Sequence, residues 1–317
     1  MAQYTTLTRQ EIESIAADFS IQNMHSFSVL SGGSENTNYL IKAEKGNFVF
    51  TICEQKTSEK ATELANLLEY FKEQGFNSSI VVRNNKNQPI GLWGNKPIMV
   101  KKFLEGKVID DLPLHLIELI GCEIGKLHKV KAPDYLQTLI PVGKEQFGKV
   151  KEYAPGSPFE IWLNQTLGYV LPYFKADLPR ALNHTDIFSN NVIISDDETA
   201  VTIMDFEEAT NYYRIFDIGM TIIGSCSNDK TINHEKVKHL LIGYTKKIEL
   251  LDIEIDALQA FTVYAGATMT FWRHLNFNYT VPTPDLFDHY LGLKVLTDEM
   301  RAQPADYFHK IIEEIRV

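Results

Sequence analysis

The sequence predicts an α+β fold in two lobes: an antiparallel-sheet lobe over residues 1–103 and a mainly helical lobe over residues 104–317. Three observations carry that expectation. Between residues 26 and 53 apolar and polar residues alternate, the period of half-buried strands. From residue 113 onward apolar residues recur every three or four positions, the period of helices packed on a core. Between the two patterns stands a short joint, "KKFLEGK", with no flexible linker.

Each element has a local reason. Thr8 can cap a first helix, Glu11 completes a capping box, and Leu7 can staple onto Ile12. This N-terminus carries no apolar core or small-residue cleavage site and reads as a helix, not a signal peptide. "SFSV", "NYLIKA" and "NFVFTIC" read as three antiparallel strands, the last two joined by the turn Lys45-Gly46-Asn47. Residues 58–75 switch to helical spacing. Ser58 is the cap, Ala61, Leu64, Leu68 and Phe71 form the apolar stripe, and Gly75 is the stop. A further strand pair is expected at Ile80–Val82 and Pro97–Phe103, around the turn "RNNKNQ". In the second lobe Leu116, Ile120, Ile124 and Leu127 line one helix face, and "PFEIWLNQTLGYVLPYF" follows as another helical stretch. Strands Val192–Ile194 and Ala200–Met204 flank the turn "SDDE".

Composition narrows the class. The chain has 317 residues, 44% hydrophobic and 23% charged, with a formal net charge of −10. An acidic surface disfavours nucleic acid and anionic membranes, whose binding needs a basic face. It leaves room for a small anionic ligand held by local amides and a cation. No apolar run reaches the length of a membrane span. The cysteines Cys53, Cys122 and Cys226 are odd in number and widely spaced, which fits reduced thiols and a cytoplasmic protein. A monomer or a homodimer is expected.

The stretch "LNHTDIFSNNVII" concentrates polar residues in a loop ahead of a strand. Its spacing is His184-x-Asp186-x-x-x-x-Asn191, followed by a hairpin and then Met204-Asp205-Phe206. A loop carboxylate can accept a proton from an attacking hydroxyl. An amide five residues on, and a second carboxylate after the hairpin, can hold one divalent cation from two sides. These are the parts phosphoryl transfer needs: a base, and oxygen ligands for Mg²⁺ on nucleotide phosphates. Turn formation explains each residue singly; their coincidence is what points to a site.

"HTDIFSNN" followed by "IMDFEEA" resembles the paired motifs of the protein-kinase-like phosphotransferases that act on small molecules, the aminoglycoside phosphotransferase and choline kinase superfamily. That resemblance implies a bilobal protein-kinase-like fold, ATP and Mg²⁺ as cofactors and a small-molecule alcohol as acceptor. It implies Asp186 as catalytic base, Asn191 and Asp205 as metal ligands, and His184 as the residue bracing the loop. It also implies Asp217 in "YRIFDIG" as the buried aspartate that pins the loop through main-chain amides. In the first lobe, Gly32, Gly33 and Ser34 of "LSGGSENTNYLI" are candidates to cradle phosphates with their amides. Phe103 and Leu104 at the joint are candidates for an adenine wall and edge. The kinase fold usually places a phosphate-binding lysine on the third strand. Here Thr51 stands near that place, and Lys42 or Lys56 is the candidate substitute.

For the acceptor, "GGSENTNYLI", "FVFTICEQ", "KFLEGK", "HTDIFSNNVI" and "TMTFWRHLNFNYTVP" resemble the homoserine kinases of this superfamily, which implies L-homoserine and a setting in threonine biosynthesis. "DFEEA" is closer to the choline kinase form. A zwitterion such as homoserine asks for a cation and an anion; Arg273 and Glu207, with Glu208 beside it, are the candidates. Choline would ask for an aromatic box, for which Tyr212, Tyr213, Trp272 and Phe277 are available. A catalytically weak nucleotide-binding relative is the remaining alternative.

Overall fold

The computed structural model describes residues 5–30, 36–228 and 230–316. The chain divides into two compact units, Met1–Glu105 and Gly106–Val317.

The first unit opens with α1 (Arg9–Asp18), capped by Thr8, whose side chain accepts from Glu11 N while Glu11 Oε2 accepts from Thr8 N. Strands β1 (Met24–Val29), β2 (Asn36–Ala43) and β3 (Gly46–Cys53) follow, then α2 (Ser58–Glu73), β4 (Gly91–Trp93) and β5 (Lys96–Lys102). The five strands form one antiparallel sheet in the order β1-β2-β3-β5-β4. One sheet face packs Tyr39, Ile41, Phe48, Phe50, Ile52, Ile98 and Val100 against Ile12, Ile15 and Ala16 of α1. Side chains of this size stabilise the unit by roughly 1.5–3 kcal/mol each.

Two details depart from the sequence reading. The cap of α2 is Thr57, which accepts from Lys60 N, so the helix begins at the residue expected to cap it. Residues 80–82 form no strand; Val81 makes an isolated bridge to Lys101. The partner on that side of β5 is β4, closed by a two-residue turn in which Gly94 takes φ +56. Residues 80–82 also pair with β5 along the same edge, with Val82 N donating to Val100 O and Lys102 N to Ile80 O at 2.8 Å each, so the expected pairing is present and β4 is the addition.

The second unit contains α3 (Leu114–Leu127), the short α4 (Val150–Tyr153), α5 (Pro158–Val170), β6 (Arg180–Asn183), β7 (Val192–Ile194), β8 (Val201–Ile203), β9 (Thr210–Tyr213) and α6 (Ile215–Ser225). A small ribbon of β10 (Ser227–Asn228) and β11 (Thr231–Ile232) then leads to α7 (His234–Thr245), α8 (Asp252–Leu275), α9 (His289–Ala302) and α10 (Tyr307–Arg316). The expected stripe of α3, Leu116, Ile120, Ile124 and Leu127, is fully buried. Helices α3 and α7 cross so closely that a Cβ on Gly243 would lie 1.9 Å from Glu118 O, which makes glycine obligatory there. Helix α8 is buried along most of its length and forms the spine of the unit. Among the described residues no helix is long and apolar enough to cross a membrane, and Cys53, Cys122 and Cys226 form no disulfide with one another.

Candidate active site

Two short ribbons position the polar loop. Strand β6 pairs with β9, and β9 runs directly into α6, so the residue after β6 meets the first turn of α6. Strand β7 pairs with β8, and Met204 N donates to Asn191 O at 2.9 Å, so Asn191 and Asp205 flank the open end of one hairpin.

Asp217, in the first turn of α6, is fully buried. Its Oδ2 accepts His184 N and its Oδ1 accepts Thr185 N, each at 2.7 Å. His128 Nε2 lies 3.3 Å from the same Oδ2, and His128 Nδ1 lies 3.0 Å from Tyr244 Oη. The grip on Thr185 has a conformational purpose. Thr185 takes φ +75, a left-handed backbone that costs a β-branched residue of order 1–3 kcal/mol unless its surroundings impose it. Thr185 Oγ1 adds a bond to Glu208 O at 3.0 Å.

His184 joins the two arms of the site. Its Nδ1 accepts Asp186 N at 3.1 Å, so Nε2 carries the hydrogen donated to Met204 O at 2.8 Å. Phe206 packs edge-on against the ring at 4.7 Å. Asn191 Nδ2 donates both to Asp186 O (2.8 Å) and to Asp186 Oδ2 (3.0 Å), which leaves Asn191 Oδ1 as its open oxygen. Asp205 is exposed and takes φ +68, directing its carboxylate out of the strand line. Burial pushes the Asp186 carboxyl up to about 6 and the Asp205 charge adds to the rise, against His184, Asn191 and Arg273, which lower it.

Two carboxylates close enough to repel, beside an amide oxygen with no donor among the described residues, form a hard-oxygen donor set suited to a divalent cation. Among the described residues there is no cluster of three or more His, Cys, Asp or Glu able to hold a metal. A cation shared with nucleotide phosphates needs only one or two protein carboxylates, so the two observations agree.

Of the acceptor candidates, Arg273 is half-buried near the end of α8 and within electrostatic reach of Asp186. Glu207 and Glu208 occupy the half-buried turn after Asp205. The four aromatics considered for a box fall into two pairs. Tyr212 stacks edge-on with Tyr213 inside the core near Phe216 and Phe261, and Trp272 meets Phe277. Among the described residues no ring contact links the pairs.

In the first unit, Gly32, Gly33 and Ser34 lie outside the described residues. Thr51 is buried and donates to Asn38 Oδ1 at 2.7 Å, directly across the β2–β3 ladder. Lys42 shares that sheet face but pairs with Asn47 at the hairpin end, four residues or roughly 13 Å along β2 from Asn38. Phe103 N donates to Asn47 O at 3.0 Å, whereas the main chain of Leu104 has no hydrogen-bond partner among the described residues.

Sequence reasoning missed His128, whose position at the C-terminal end of an apolar helix gives no sign of the aspartate it backs. It also missed Phe188, whose ring lies 5.8 Å from the Arg273 guanidinium.

Residues 26–246 match the phosphotransferase enzyme family. The homoserine kinase of Parvibaculum lavamentivorans is 27% identical over 81% of this chain and 83% of its own length. That of Rhizobium meliloti is 23% identical over 98% and 95%. Among solved structures, an amicoumacin kinase in complex with AMP-PNP, Ca²⁺ and Ami superposes with a TM-score of 0.74 at 17% identity, covering 96% of this chain and 97% of that one. A microcompartment-associated aminopropanol kinase superposes with a TM-score of 0.69 at 14% identity, covering 95% and 98%. The fold is thus that of the kinase-like small-molecule phosphotransferases, with an antiparallel sheet followed by a mainly helical part. The chain belongs to the phosphotransferase enzyme family and is a small-molecule kinase, an ATP-dependent enzyme with an alcohol acceptor.

Proposed function

We propose that the chain transfers the γ-phosphate of ATP to the side-chain hydroxyl of L-homoserine. The observation that carries this choice of acceptor is a cation held at the loop of the base: the Arg273 guanidinium lies 5.8 Å from the ring of Phe188, two residues after Asp186. An α-amino acid alcohol needs its carboxylate held at a set distance from its hydroxyl, and a guanidinium does this in a bidentate way. The names of the homoserine kinases above support the same acceptor.

In this reading Asp186 accepts the hydroxyl proton on its free Oδ1, while Asn191 holds Oδ2 and so sets the carboxylate plane. His184 keeps Asp186 and Met204 in register through its two ring nitrogens. Asn191 Oδ1 and the Asp205 carboxylate would hold Mg²⁺, which when bound supplies charge neutralisation on the transferred phosphoryl group. Glu207 faces the acceptor ammonium. Leu104 offers its main chain to the adenine edge, and Lys42 and Lys56 both stand as candidates for the phosphate-binding lysine.

The test is ADP release over a panel of homoserine, choline, ethanolamine, methylthioribose, hydroxylysine and an aminoglycoside. Homoserine is expected to give the highest kcat/KM. Silence on homoserine with turnover of another alcohol would overturn the acceptor. ATP binding without ADP release on any alcohol would mark a non-catalytic relative.

A further inference from the structure

An arginine at a helix end samples many rotamers, and ordering it costs side-chain entropy. Arg273 is nonetheless held on two sides. Its guanidinium carbon lies 5.8 Å from the centroid of the Phe188 ring. Its Nη1 donates to His289 Nε2 at 3.3 Å and lies 3.5 Å from His289 O, at the start of α9. Burial and the neighbouring Arg273 charge hold the His289 pKa below its usual value, so the ring stays a neutral acceptor. Among the described residues Arg273 Nε and Nη2 donate to nothing.

Phe188 is itself backed. It packs against the Ile223, Leu293 and Leu296 cluster. A Cβ on Gly224 would lie 2.8 Å from Phe188 Cγ, 2.9 Å from Cδ1 and 3.0 Å from Ile187 O, so only glycine lets the ring lie this close to α6. Phe188 also belongs to the loop that carries Asp186 and Asn191.

We propose that Phe188, seated on Gly224, and His289 are positioning residues that aim the free edge of Arg273 at the acceptor carboxylate, so that selection of a carboxylate-bearing alcohol is set from within the catalytic loop. The inference rests on the homoserine reading. The ring offers its π face to the cation, the imidazole takes one guanidinium hydrogen, and the Nε and Nη2 hydrogens remain as a two-pronged donor. One loop then registers the carboxylate anchor and the base against each other.

The experiment compares kcat/KM for L-homoserine and for 3-amino-1-propanol, the same alcohol without its carboxylate. Wild type is expected to prefer homoserine by about 10–100-fold, the scale of hydrogen bonds to a charged group. Arg273→Met brings that preference close to unity. Phe188→Leu cuts it by about 3–10-fold, on the scale of a lost cation–π contact, through a raised homoserine KM with the ATP KM unmoved. Gly224→Ala, which displaces the ring from behind, gives the same signature and stands in if Phe188→Leu does not fold. His289→Ala weakens the preference and His289→Gln, which keeps an acceptor, restores most of it. If Phe188→Leu and Gly224→Ala lower both acceptors equally, the residues are merely structural and the inference fails while Arg273 still reads the carboxylate. If wild type shows no preference and Arg273→Met changes nothing, the homoserine reading itself falls and takes this inference with it.

Discussion

Asp186→Asn is expected to lower turnover by roughly 10²–10⁴-fold, the usual scale for removing a general base, while the protein folds and binds ATP. The substitution keeps shape and volume. Its carboxamide oxygen can still accept from Asn191 Nδ2, which now bonds Oδ2 at 3.0 Å. What is lost is the oxygen that takes the hydroxyl proton. Asn191 and Asp205, the proposed cation ligands, remain, so the ATP KM should move much less than kcat. Steady-state ADP release with saturating homoserine reads kcat, and thermal shift with Mg-ATP reads binding. Turnover within a few-fold of wild type would show that Asp186 is not the base.

Asp217→Ala is expected to cost about 3–5 kcal/mol of stability and to abolish activity. The carboxylate satisfies two buried amides at 2.7 Å and lies against His128. Its removal leaves those donors without partners and frees Thr185 from its left-handed backbone. The loop carrying Asp186 then relaxes even where the unit remains folded. Urea denaturation measures the loss directly. A change below about 1 kcal/mol would mean that water or a neighbouring group replaces the carboxylate at no cost, and that the loop is held by other means.

Legibility in the sequence followed the range of the interaction. The capping box at Thr8 and Glu11 and the buried stripe of α3 are local patterns, and both are present in the structure. The pairing of residues 80–82 with β5 is legible and present, whereas β4 is not, because a three-residue strand ending in a tight turn carries little period-two signal. Strands β6 and β9 are four residues each and pair across the whole of residues 184–209, so no window of sequence contains both. Within the site, the polar loop and the two carboxylates could be read from spacing alone. The ring seat of Arg273 and the His128 support could not, since they arise from α8, α9 and α3 arriving beside that loop. The left-handed backbone at Thr185 was equally hidden, because a β-branched residue adopts it only under tertiary restraint.

The most direct measurement is a crystal structure with Mg²⁺, a non-hydrolysable ATP analogue and L-homoserine. The account predicts the homoserine hydroxyl within hydrogen-bond reach of Asp186, the cation on Asn191 Oδ1 and Asp205, and the carboxylate on Arg273. A cation bound away from Asn191 and Asp205, or a hydroxyl facing some other side chain than Asp186, would contradict it.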